Sequence, residues 1–137
     1  MKTLGIEIKG NCAIFCAIEV ENGIQDLTGK MKKLELTNDE DSQEIKEFID
    51  VVHAYFDKMQ FDRIGIIKRS KSLKAKFPPS PISFKVEGLI QTYEGLQMEF
   101  IAPQTLRAFY KKNDLTFSPK HVYQKSATEL AYYLIEK

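Results

Sequence analysis

The sequence predicts an α/β fold in which helices on both faces cover a mixed sheet of five strands. The chain opens with two apolar segments, residues 3–9 and 12–20, joined by a Gly10-Asn11 turn that favours antiparallel pairing. Later apolar segments are separated by helical patterns long enough for parallel crossovers. A length of 137 residues with 43% hydrophobic and 28% charged side chains is typical of one globular domain, expected to span residues 1–137.

The first three strands form an antiparallel meander in this prediction. Asn22-Gly23 is a turn signal that ends the second strand and leads into a weaker third strand over residues 24–36, interrupted near Gly29. Cys12 and Cys16 both lie in the second strand. At about 3.3 Å per residue they are roughly 13 Å apart, which is too far for a disulfide, so we expect free thiols.

A helix is predicted next, because residues 37–40 match a capping box and several acids follow them. Its apolar residues recur at helical spacing and form one stripe: Ile45, Phe48, Ile49, Val52, Phe56 and Met59. Residues 61–69 then read as a fourth strand, whose continuous apolar centre is typical of a strand buried on both faces.

The second half of the chain alternates helices and a strand. A basic, proline-rich connection over residues 68–81 leads to a helix over residues 82–93, and residues 96–103 form the fifth strand, parallel to the fourth. Pro103 suits the first position of a short helix over residues 103–112, and Ser118-Pro119 is expected to begin the last helix by the same reasoning.

Charge is distributed unevenly along the chain. Residues 1–60 carry 7 basic and 12 acidic side chains, whereas residues 61–137 carry 13 basic and 7 acidic. Such a split favours a polyanion-binding face, or simply two differently charged surfaces. No apolar run reaches the roughly 20 residues that cross a bilayer, and the start of the chain does not resemble a signal peptide, so we expect no membrane contact and a cytoplasmic location.

The order of these segments resembles the ribonuclease H-like fold, and within it the RuvC-type Holliday-junction resolvases. "LGIEIKGN" is similar to the first-strand motif of that family, "FDRIGIIKR" to its fourth strand, and "FIAPQTLRAFYKK" to the fifth strand and following helix. "KVEGLIQTYEG" resembles the helix beside the active site, and "SATELAYYLIEK" resembles the final helix. The pattern also resembles small bacterial families of unknown function.

The resemblance implies hydrolysis of phosphodiesters by two Mg²⁺ ions held by converging carboxylates. Glu7 takes the place of the family's first-strand aspartate and is the candidate metal ligand. The fourth-strand glutamate falls at Ile67 or Lys68, and neither side chain binds Mg²⁺. Glu129 is the only acid near the two final-helix aspartates, so an active site would use Glu7 and Glu129, with Glu87 as a third candidate.

A degenerate site is the alternative, in which no cofactor is needed. The first and fourth strands are neighbours in this fold, so we expect Lys68 to pair with Glu7 in the region that a metal would occupy. Glu129 then serves as a cap within its own helix, and Glu87 as a surface residue.

Nucleic acid is the partner that the basic half of the chain favours. The candidate contacts are Lys68, Arg69, Lys71, Lys74, Lys76, Lys85, Arg107 and Lys111. Phe77, Phe109 and Tyr110 lie among them and either stack on bases or pack in the core. Three classes of function therefore remain: a RuvC-like nucleic-acid-binding protein with an inactive metal site, a divergent Mg²⁺-dependent endonuclease, and a homodimeric protein-interaction module.

Overall fold

The computed structural model describes residues 1–71 and 78–137. Within these ranges the strands are β1 (Lys2–Lys9), β2 (Cys12–Val20), β3 (Ile24–Asp26), β4 (Lys33–Glu35), β5 (Arg63–Ile67) and β6 (Met98–Ile101). The helices are α1 (Ser42–Met59), α2 (Pro81–Gln91), α3 (Pro103–Tyr110) and α4 (Lys125–Glu136), and a single 3₁₀ turn, Val122–Gln124, precedes α4. No helix in the described part of the chain is long and apolar enough to span a bilayer.

The strands form one mixed sheet in the order β3-β2-β1-β5-β6. β1 pairs antiparallel with β2 and parallel with β5, and β5 pairs parallel with β6. The predicted α/β class, the antiparallel start and the parallel pair are therefore confirmed. The number of strands differs from the prediction, because β3 and β4 replace the single third strand and both pair with β2.

The break between β3 and β4 has a local cause. The Ala17 amide donates to the Thr28 hydroxyl at 2.9 Å, and the Thr28 amide donates to Asp26 Oδ1 at 2.8 Å. Gly29 follows with a φ of 61°, a left-handed conformation that glycine adopts without a steric cost. The chain therefore turns here and returns to β2 only at Lys33.

Two predicted helix starts were wrong. Asp41, not Thr37, caps α1, since its side chain accepts hydrogen bonds from the amides of Gln43 and Glu44. Thr37 instead donates its amide and its hydroxyl to Glu44. The last helix begins at Lys125 rather than at Ser118-Pro119, after the 3₁₀ turn.

Each face of the sheet packs against its own helices. On one face, Leu4, Ile6, Phe15, Ile64 and Ile66 meet the apolar sides of α1 and α2. On the other face, α4 lies across β1, β2 and β5. Two clusters of apolar side chains are buried there: Ile14, Cys16, Ile18, Ala127 and Ala131 form one, and Ile67, Leu106, Leu130 and Leu134 form the other.

Two glycines allow the close approach of α4. A Cβ placed on Gly5 lies only 2.0 Å from the Ala127 carbonyl oxygen, and one on Gly65 lies 2.9 Å from Leu134. Thr3, on the same face as Gly5, donates its hydroxyl to the Ala131 carbonyl at 2.7 Å. α4 is thus held directly against the centre of the sheet, and its first turns lie beside the end of β1.

Candidate nucleic-acid interface

Glu7 lies at the carboxyl end of β1 and faces α4. Strand residues alternate between faces, so Glu7 shares its face with Thr3 and Gly5, both of which contact α4. The side chain is partly buried in a cleft of about 530 Å³, which β1, β5, α3 and α4 surround. The cleft is lined by Glu7, Ile67, Pro103, Leu106, Arg107, Tyr110, Lys111, Ser126 and Glu129.

The pKa of the Glu7 carboxyl is raised above its usual range, mainly by burial. The charge of Lys9 and a hydrogen bond with the Ser126 side chain oppose the increase, whereas the nearby charge of Glu129 adds to it. Glu7 and Glu129 are therefore close enough to repel each other across the cleft. The structure brings together the two acids that the sequence singled out.

Ile67 lies next to Glu7, at the position where a second carboxylate ligand for a metal was sought. The parallel register pairs Ile6 with Ile66, so the next residues, Glu7 and Ile67, lie level on neighbouring strands and face the same cleft. Ile67 is 8% exposed and packs against Leu106, Leu130 and Leu134. An apolar side chain thus lies beside Glu7 where a further oxygen ligand would be needed.

The donor set does not fit a pair of magnesium ions. Mg²⁺ takes oxygen ligands in octahedral geometry, and a two-ion site needs several carboxylates. No group of three or more His, Cys, Asp or Glu side chains suited to a metal occurs within residues 1–71 and 78–137. Residues 72–77 cannot complete such a group, because their sequence contains none of these four residue types.

The predicted pairing of Lys68 with Glu7 was wrong. The described residues form three ion pairs, Arg63–Glu99, Arg69–Glu87 and Lys85–Asp39, and none of them includes either side chain. Lys68 is one residue beyond Ile67 and is directed to the opposite face, where it lines a different pocket beside α2. Glu87 lies there too, buried against Arg69, and not in the Glu7 cleft.

The candidate phosphate contacts are spread over three places. Arg107 and Lys111 are exposed at the rim of the Glu7 cleft, whereas Lys68, Arg69 and Lys71 line the pocket beside α2. Lys85 lies 3.5 Å from Asp39 Oδ2 in a solvent-exposed pair. Lys74, Lys76 and Phe77 lie outside the described residues.

Of the two aromatic candidates on α3, Tyr110 lines the Glu7 cleft, whereas Phe109 is a core residue. Phe109 is 7% exposed and packs edge-on against Tyr133 at 5.2 Å, as expected of a core residue. Tyr110 lines the cleft and donates its hydroxyl to the Glu129 carbonyl at 2.7 Å. A tyrosine hydroxyl is protonated at neutral pH, and burial raises the pKa of Tyr110 further, so the bond to α4 also persists in alkaline solution.

This strand order, with helices on both faces of the sheet, is that of a ribonuclease H-like fold, and RuvC structures share it. Thermus thermophilus RuvC in complex with a Holliday junction superposes with a TM-score of 0.66 at 12% identity, covering 96% of this chain and 90% of that one. A second T. thermophilus RuvC structure gives the same TM-score at 11% identity, with coverage of 99% and 97%. At such identities the likeness establishes the fold.

The chain belongs to the family described as "Protein of unknown function (DUF3010)", whose model matches residues 1–134. No curated protein matches the sequence significantly.

Proposed function

We propose that this protein binds nucleic acid through the rim of the Glu7 cleft and does not cleave it. The observation that carries the proposal is the position of Ile67, whose apolar side chain lies beside Glu7 on the neighbouring strand. A cleft with two carboxylates and a buried isoleucine does not assemble a two-ion centre. Binding needs only cations that reach phosphates, and those are present on α3.

Arg107 and Lys111 are the side chains best placed for that contact. Both belong to the α3 segment, both are exposed, and neither takes part in an ion pair among the described residues. Both line the cleft and are exposed, whereas Glu7 is partly buried, so the cations are the more accessible charges for a phosphate backbone at the cleft. The RuvC structure that shares this fold was solved with a Holliday junction, which makes a four-way junction the first nucleic acid to try.

Salt dependence provides the sharpest test. Each phosphate contact contributes about −0.9 to the slope of log K against log salt concentration. Replacing both Arg107 and Lys111 by alanine should therefore reduce the slope by about 2 and weaken binding to every nucleic acid tested. The assay is a gel shift with a four-way junction, a duplex and a single strand at 50 and 200 mM salt.

A matched control removes two cations elsewhere. Lys46 and Lys58 are exposed on α1, which covers the opposite face of the sheet, so replacing both by alanine should leave the slope unchanged. The absence of any binding by the wild type at 50 mM salt would refute the proposal. Equal effects of the two double variants would show that net charge, not the cleft, controls binding.

A divergent Mg²⁺-dependent endonuclease is the second candidate, and the shared position of Glu7 and Glu129 favours it. Magnesium can be held by one or two carboxylates together with substrate phosphates, and these two acids interact across one cleft. This candidate requires junction or strand cleavage in Mg²⁺ or Mn²⁺ that Glu7→Gln abolishes. The homodimeric module is not favoured by a comparable observation, since the large apolar residues exposed within residues 1–71 and 78–137 lie on separate segments: Met1, Val51, Phe100 and Val122.

A further inference from the structure

A second pocket, of about 290 Å³, lies on the face of the sheet opposite the Glu7 cleft. It is formed where the edge strand β6 and the end of β5 meet the side of α2. Its lining consists of one aromatic ring, three basic side chains and two further polar groups: Phe100, Lys68, Arg69, Lys71, Glu87 and Gln91. Cations beside an aromatic ring are the elements that proteins use to hold single-stranded nucleic acid.

Phe100 is the unusual member of this group. Its neighbour on the same face, Met98, is 6% exposed and belongs to the main core, whereas Phe100 is 37% exposed. β6 lies at the edge of the sheet, so the ring at the end of that strand is not covered by a further strand. It therefore presents an apolar surface inside a polar, positively charged pocket.

Arg69 forms the fixed wall of the pocket rather than a free cation. Its guanidinium donates to Glu87 Oε1 at 3.1 Å and to the Ser83 hydroxyl at 2.5 Å, and it lies 4.4 Å from the centre of the Phe84 ring. These contacts neutralise Glu87 and hold its carboxylate at the pocket wall.

Lys68 and Lys71 provide the uncompensated positive charge. Both are exposed, and neither forms an ion pair within the described ranges. Since Arg69 and Glu87 cancel each other, the pocket keeps the net charge of these two lysines. An anion entering beside Phe100 would therefore meet uncompensated ammonium groups.

We propose that this pocket binds one unpaired nucleotide, with the base stacked on Phe100 and its phosphate beside Lys68 and Lys71. The base edge would meet Glu87 and Gln91, and a carboxylate there accepts from an exocyclic amino group but is repelled by the carbonyl oxygens that thymine presents. This inference rests on the proposed nucleic-acid binding. It specifies that the pocket beside α2 binds a nucleic-acid single strand that extends from a duplex or junction.

The experiment compares a blunt duplex with the same duplex carrying a four-nucleotide dC overhang, by fluorescence anisotropy at 50 mM salt. The wild type should bind the overhang substrate more tightly. Phe100→Leu should weaken binding of the overhang substrate about fivefold or more and leave the blunt duplex unchanged, because one base-stacking contact is lost. Val122→Ala removes another exposed apolar side chain, 91% exposed and outside the pocket, and should change neither affinity.

Two further comparisons test the remaining groups. Lys68→Ala combined with Lys71→Ala should weaken the overhang substrate more than the blunt duplex, whereas Lys46→Ala should affect neither. A dT overhang should bind more weakly than a dC overhang to the wild type, and equal binding of the two would refute the role of Glu87 at the base edge.

The outcomes separate this inference from the proposed function. Binding of both substrates with no effect of Phe100→Leu, or with an equal loss on both, would overturn the pocket and leave the Glu7 cleft as the binding site. No binding of either substrate would refute nucleic-acid binding altogether. Sedimentation of wild type and Phe100→Leu must give the same mass, since a loss of dimer with the substitution would assign Phe100 to an interface between two copies.

Discussion

Replacing Ile67 by glutamate should give this cleft the third carboxylate that it lacks. Ile67 lies level with Glu7 on the neighbouring strand and is 8% exposed among leucines. Its buried aliphatic side chain contributes about 1.5–3 kcal/mol, and a poorly compensated charge in its place adds to the loss. We expect Ile67→Glu to reduce the free energy of unfolding by about 3–5 kcal/mol in the absence of metal.

Mg²⁺ should restore much of the lost free energy of unfolding in Ile67→Glu, and not in the wild type or in Ile67→Gln. For a dissociation constant of about 0.1 mM, 10 mM Mg²⁺ stabilises the folded state by about 2.7 kcal/mol. At about 3 °C per kcal/mol, the Tm should rise by about 8 °C. Ile67→Gln has a similar shape without the charge, so its Tm should respond to Mg²⁺ no more than that of the wild type.

Differential scanning fluorimetry of the three proteins in EDTA, Mg²⁺ and Mn²⁺ makes the measurement. A wild-type shift as large as that of Ile67→Glu would refute the reasoning, because the cleft would then already bind metal with the ligands it has. A shift of the same size in Ile67→Gln would show that metal acts elsewhere on the protein.

Four other substitutions test the fold and the charge of the cleft. Burial raises the pKa of Glu7, so the folded state favours the protonated form and the stability of the protein falls as pH rises above the ordinary value of 4.5. Glu7→Gln removes this charge and should therefore raise the Tm more at pH 8 than at pH 4. An equal change in Tm at both pH values would contradict this. Gly5→Ala places a Cβ 2.0 Å from the Ala127 carbonyl and should cost about 3 kcal/mol or more in urea unfolding, whereas Gly88→Ala in α2, with open space around it, should stabilise by about 0.5–1 kcal/mol. Asp41→Ala should cost about 1 kcal/mol by the same assay if Asp41 caps α1, and no loss would restore Thr37 as the cap.

The antiparallel start and the parallel pair were predictable from turn residues and crossover length, whereas the pairing of the first strand with β5 was expected only from the resemblance to the ribonuclease H-like fold. The face of the sheet on which each side chain at the end of β5 lies was harder to predict, because a shift of one residue in the alignment moves every side chain to the opposite face. The expectation that Lys68 lies beside Glu7 shifted this alignment by one residue: letter by letter, "LGIEIK" and "IGIIKR" match Glu7 with Ile67, and the register of Ile6 with Ile66 agrees. A residue count from the paired glycines, Gly5 and Gly65, would have given the correct face.

Other features depend on contacts that no local pattern encodes. Gly29 predicted an interruption of the third strand, but not the pairing of both halves with β2, which the hydrogen bond between Thr28 and Ala17 supports. The exposure of Phe100 depends on its place at the end of an edge strand, and its sequence neighbours give no sign of it. Glu129, by contrast, was predicted from the sequence as the acid nearest the two final-helix aspartates of the RuvC-type resolvases. Its place in the same cleft as Glu7 follows from the fold alone.

The most direct test of the account is the affinity of the wild type for a four-way junction, measured in EDTA and again in 5 mM Mg²⁺, with the recovered DNA analysed on a denaturing gel. We expect binding in EDTA, weakened in Mg²⁺ only as far as ionic strength requires, and full-length strands after both incubations. Binding that requires the metal, or cleaved strands whose formation Glu7→Gln abolishes, would contradict it.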